Sequence, residues 1–99
     1  MSVTVVVALQ AKPDQVESLL VFLSGVQARV IQAGCLSISL LQDQDDPTRI
    51  FEIEQWQTAD EHKRFIQAAK ASGAFAPFDA LLSGPPKGHY LNTVKHSES

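Results

Sequence analysis

The chain has 99 residues, with 8 Lys+Arg against 11 Asp+Glu, a net charge of −3 and 44% hydrophobic side chains. That composition describes a folded chain of one domain with one modest core, too short to enclose a deep site from a single copy. The mildly acidic balance leaves no electrostatic footprint for nucleic acid or for an anionic membrane.

Ser2–Gln10 (SVTVVVALQ) is β-branched and bounded by Lys12-Pro13, which predicts a strand with Val3, Val5, Val7 and Leu9 on one apolar face. Asp14–Ile31 predicts a helix, with Asp14 as cap and Glu17 reaching back. Its buried stripe is Val16, Leu19, Leu20, Leu23, Val26 and Val30, and Gly34 stops the helix. Cys35–Gln42 alternates as a second strand, Leu36, Ile38 and Leu40 against Cys35, Ser37, Ser39 and Leu41. After the acidic connection Asp43–Thr48, Arg49–Gln57 is a third strand. It carries Phe51, Ile53 and Gln55 on one side and Ile50, Glu52, Glu54 and Trp56 on the other.

Thr58 and Glu61 form a capping box, which opens a second helix with His62, Phe65, Ile66 and Ala69 inward. Ser72-Gly73 breaks it, and Ala74–Leu82 adds a further helical piece. Gly84-Pro85-Pro86 is a hard stop, and Gly88–Val94 is a last strand. The order β-α-β-β-α-β predicts an α+β fold of ferredoxin-like type, an antiparallel sheet with its helices on one face. Residues 1–94 form the domain and 95–99 a solvated tail.

One sheet face belongs under the helices. We assign to the other Thr4, Val6, Ala8, Cys35, Ser37, Ser39, Leu41, Glu52, Glu54 and Trp56. That set is too apolar for bare solvent, so a second copy covers it, or a ligand does, or both. The expected partner is a homodimer mate packed through this open face.

Candidate chemistry sits on the same set. Glu52 and Glu54 at i, i+2 can share a proton, one of them raised for acid–base work. The plain alternative is pairing with Arg49 or Arg64. Trp56 can stack on a flat ligand, or pack in an interface. His62 can serve as a base, or lie half in solvent at a stripe edge. His62, His89 and His96 share no chelating spacing, and the lone Cys35 excludes an internal disulfide and a Cys-based zinc site. The expectation is no metal and no cofactor, since no glycine motif for a dinucleotide or ATP occurs. Cys35 reads as a buried structural thiol. With no signal-like or membrane-spanning run, the expected location is the cytoplasm.

Lys12-Pro13, Gly34-Cys35, Leu41-Gln42-Asp43, Phe51…Glu54-x-Trp56 and Leu81-Leu82-Ser83-Gly84-Pro85 together resemble the antibiotic biosynthesis monooxygenase (ABM) superfamily from about Val3 to Val94. The resemblance implies a dimeric α/β barrel and a cofactor-independent monooxygenase acting on a small aromatic such as a quinol or anthrone. Glu54, Trp56 and His62 would be catalytic, with Val6, Ser37, Ser39, Glu52 and Phe65 against the substrate. The chain departs from the family at three places. Glu52 stands where cofactor-free oxygenases often carry Asn, and Phe65 stands where many members carry His. Val5 and Val7 stand where haem degraders carry a first-strand Asn, which argues against haem. The alternatives are a non-oxygenase binding module or isomerase of the same fold, and a dimer without chemistry.

Overall fold

The computed structural model describes residues 2–98, so Met1 and Ser99, the outer ends of the predicted domain and tail, lie outside the described residues. The elements are β1 (Val3–Gln10), α1 (Val16–Gln32), β2 (Ser37–Gln42), β3 (Arg49–Trp56), α2 (Ala59–Ser72), α3 (Ala76–Leu81) and β4 (Lys87–Leu91). The four strands form one antiparallel sheet in the order β2-β3-β1-β4. This is the ferredoxin-like topology predicted, with β1 and β3 central and β2 and β4 at the edges.

The helices cover one face. Leu19, Leu23, Val26 and Val30 of α1 are buried against it, as the spacing predicts. They pack on Val3, Val5 and Leu9 of β1 in two adjoining clusters, one around Trp56 and one around Ile50. The start of α1 differs from expectation. Gln15 occupies the cap position without a side-chain hydrogen bond, and the helix begins two residues later than Asp14. Here packing of the apolar stripe, rather than a cap, fixes the helix. The second cap is as predicted: the Glu61 N–H donates to Thr58 Oγ1 at 3.2 Å. Gly73 closes α2 at φ 77°, a left-handed position that glycine takes without strain.

The predicted faces need one correction, and it moves the site. In an antiparallel pair, directly opposed residues point to the same side. β1 and β3 pair Val3 with Trp56, Val5 with Glu54, Val7 with Glu52 and Leu9 with Ile50. The β1 members of those pairs face the helices, so Glu52, Glu54 and Trp56 face them too. They are 7%, 4% and 0% exposed. The open face instead carries Thr4, Val6 and Ala8 opposite Gln55, Ile53 and Phe51. Ser37, Ser39 and Leu41 extend that face on β2. Cys35 also leaves the open face. It is buried in the Trp56 cluster, with burial and the Glu54 charge pushing its thiol up. Leu36, expected inward, is exposed. The assignment failed because a strand with carboxylates on one side and Phe51 and Ile53 on the other invites placing the charges outward. A cavity between sheet and helices reverses that.

Candidate functional site

The cavity lies over the middle of the sheet, beneath α2 and α3, with a volume of about 840 Å³. Its floor is Val5, Val7 and Leu9 of β1 with Glu52 and Glu54 of β3. Phe65, Phe75 and Phe78 give it an aromatic roof. An apolar chamber with a few placed polar groups is the usual form of a small-molecule site.

The polar groups form one chain. The Trp56 Nε1–H donates to Glu54 Oε1 at 2.8 Å, within the core. The same oxygen lies 4.0 Å from His62 Nε2. His62 Nδ1 lies 2.8 Å from the Tyr90 hydroxyl. The imidazole is wedged edge-on between the Trp56 and Tyr90 rings, each centroid 5.4 Å away. Burial pushes the His62 pKa down, so the ring is neutral at pH 7.

Glu52 stands apart from this chain. Among the described residues it makes no hydrogen bond and no ion pair, while no buried polar side-chain atom is sealed away unpartnered. Its carboxylate therefore meets the cavity. Burial first, and then the charge of Glu54 two residues on, push its pKa up to about 7. Glu54 is raised by burial, and the Trp56 hydrogen bond pulls it back. Two carboxylates on one strand face thus diverge, one anchored by an N–H donor and one free to exchange a proton near neutrality.

The predicted residues divide cleanly. Glu52, Glu54, His62 and Phe65 line the cavity. Trp56 does not: it is fully buried beneath His62 and Phe65, so its indole orients Glu54 rather than stacking on a ligand. Val6, Ser37 and Ser39 lie on the opposite face of the sheet, away from the cavity. Among the described residues neither Arg49 nor Arg64 pairs with Glu52 or Glu54, and Arg49 lies 3.7 Å from Asp43 instead. Sequence reading missed Tyr90. Only the register of the last strand with β1 reveals it, setting Tyr90 opposite Val5 and so on the helix side. Among the described residues no group of three or more His, Cys, Asp or Glu side chains is placed to hold a metal ion. Nor is any described helix long and apolar enough to cross a membrane.

The family model of antibiotic biosynthesis monooxygenases matches residues 2–76, from β1 through α2 and its cap. The chain belongs to this family. Solved structures agree on the fold. A Bordetella bronchiseptica protein superposes with a TM-score of 0.85 at 19% identity, covering 95% of this chain and 98% of its own. PA3566 from Pseudomonas aeruginosa gives 0.80 at 26% identity, over 95% of each chain. A structure described as an antibiotic biosynthesis monooxygenase gives 0.81 at 18% identity, over 94% of this chain and 99% of its own. No curated protein matches the chain. The ABM match ends before Tyr90, so the Tyr90 contact to His62 comes from the part of the chain that the family model does not describe.

Proposed function

We propose that this ABM protein is a cofactor-independent monooxygenase that oxidises a small electron-rich aromatic, of quinol or anthrone type, in the cavity above the sheet. The observation that carries this reading is Glu52, a buried carboxylate with no protein partner, poised near neutrality against an apolar chamber. Such a group is matched to removing a weakly acidic proton at working pH. For an anthrone, Glu52 takes a proton from the ring CH2. The resulting carbanion gives its electrons to O2 and forms a C–O bond, leaving a peroxide. Loss of water across the remaining C–H and the O–O bond yields the ketone. One oxygen atom ends in product and one in water, and the proton on Glu52 leaves with that water. Phe65 offers a face for the substrate ring, and Glu54 and His62 shape the polar end.

O2 uptake by purified protein with a panel of anthrones and hydroquinones tests the reading. The expected result is catalysed uptake with at least one of them, and uptake no faster than autoxidation for all would refute it. A second reading, proton transfer without oxygen, draws on one feature: Glu52 stands where oxygenases of the family often carry Asn, and a carboxylate moves protons without help from O2. Product formation in anaerobic buffer would favour it.

The open face completes the proposal. Val6, Ala8, Phe51, Ile53 and Leu41 share the side of the sheet opposite the face that carries the described helices. We assign them to a homodimer interface that closes two sheets into a barrel, because an apolar face of this kind is covered in a stable soluble protein. Sedimentation at micromolar concentration should give a dimer. Ile53→Asp should weaken it about 30-fold or more, the effect of a charge buried at an interface centre. A monomeric wild type would remove this part of the proposal.

A further inference from the structure

Five residues from four elements, Val5 of β1, Glu54 and Trp56 of β3, His62 of α2 and Tyr90 of β4, meet beside the cavity. The register sets Tyr90 opposite Val5, and Val5 opposite Glu54, so Tyr90 and Glu54 sit on one row across the sheet with a valine between them. His62 of α2 lies over that row and spans it, Nδ1 at 2.8 Å from the Tyr90 hydroxyl and Nε2 at 4.0 Å from Glu54 Oε1. The same Glu54 Oε1 accepts the Trp56 N–H at 2.8 Å.

A neutral imidazole has one N–H, and which nitrogen carries it is set by the bond the other makes. If Nδ1 were protonated, it would donate to the Tyr90 oxygen. The lone pair of Nε2 would then face the Glu54 carboxylate, two electron-rich groups within 4.0 Å in a buried setting. If Tyr90 donates to Nδ1 instead, Nε2–H points at Glu54 and both ends are matched. Glu54 and Asp60 add to burial in pushing the Tyr90 hydroxyl up, so it keeps its proton and is able to donate it. Lys63 lies over the Tyr90 ring, its Nζ 5.3 Å from the centroid, and an ammonium, a donor only, offers the Tyr90 hydroxyl no acceptor.

We propose that Tyr90 is a positioning residue: its hydroxyl fixes His62 as the Nε2–H tautomer and aims that N–H at Glu54. Glu54 is thereby held as the standing carboxylate, and the proton-accepting role falls to Glu52. The last step rests on the monooxygenase reading above; the tautomer does not.

The test uses the full-length protein, 15N-labelled, in a His89→Gln, His96→Gln background that leaves His62 as its one histidine. Long-range 1H–15N correlation at pH 7.5 should show Nε2 protonated and Nδ1 bare. Tyr90→Phe should lower the Nε2–H to Nδ1–H ratio about fivefold, the effect of losing one neutral hydrogen bond. Near-UV circular dichroism from Trp56 verifies that the variant keeps its core. A wild-type His62 carrying its proton on Nδ1 would overturn the proposal without any variant, and so would an unchanged ratio in a folded Tyr90→Phe. If the tautomer behaves as stated while no substrate drives O2 uptake, the monooxygenase reading fails and the Tyr90 assignment stands. Where uptake is found, Tyr90→Phe should move the pH profile as well as its height, which a loss of packing alone would not do.

Discussion

Trp56→Ala should cost about 3–5 kcal/mol of folding stability, the range for removing a large buried aromatic. Trp56 is fully buried, at the junction of β1, α2 and the end of β3, and touches both His62 and Phe65. The more instructive variant is Trp56→Phe. It keeps most of the apolar volume and deletes one N–H. What it leaves behind is Glu54, 4% exposed, without its donor at 2.8 Å. A buried acceptor stripped of its partner costs about 1–3 kcal/mol. In a domain of this size that lowers the melting temperature by several degrees, at about 4–8 °C per kcal/mol. Because the Trp56 bond is what holds the Glu54 pKa down, Trp56→Phe should also raise it further. Chemical denaturation of both variants, with a carbon-detected titration of Glu54, checks this. A Trp56→Phe protein as stable as wild type, with Glu54 unmoved, would show that the indole N–H carries no weight.

The fold was legible because its periodicities are strong. The odd-numbered valines of β1, the α1 stripe and the Thr58–Glu61 cap each reported local physics that tertiary structure kept. The face of β3 was not legible in the same way. RIFEIEQW has apolar residues in both phases, Phe51 and Ile53 in one and Ile50 and Trp56 in the other. Period-two alternation then cannot say which phase is inward. Only the register with β1 decides, and it decides for the phase with the carboxylates. Some of the residues named for chemistry meet at one cavity, for a reason that sequence could not supply. Glu52, Glu54 and His62 converge because strand pairing and α2 bring them together, not because the open face needs a partner. Val6, Ser37 and Ser39 were placed with them by the same inverted phase and fall away with it. Tyr90 was invisible, since nothing local in GHYLN marks a contact to a helix 28 residues earlier.

The corrected phase also makes Glu52 the residue with the most to lose or gain. Its pKa is about 7 folded, against 4.5 for the free side chain. Between those values the folded state binds more protons than the unfolded one, so stability falls as pH rises from about 4.5 to 7 and stays lower above that. At about 1.4 kcal/mol per pKa unit the full effect is ~3 kcal/mol. Glu52→Gln keeps the shape and removes the titration. The variant should therefore lack this decline and be more stable than wild type at pH 8, by an amount that vanishes near pH 4. Activity should move the opposite way. If Glu52 removes the substrate proton, wild-type turnover rises with pH through about 7 and then levels, because only the ionised form accepts. Glu52→Gln should lose about 10²–10⁴-fold in kcat, the usual worth of a positioned base. A gain in stability joined to a loss of turnover is what a functional charge in a buried place produces. A purely structural carboxylate would give the first without the second. Denaturation curves from pH 4 to 8, set beside the pH–rate profile of the same two proteins, separate these cases: stability gained at pH 8 with turnover intact would remove Glu52 from the chemistry.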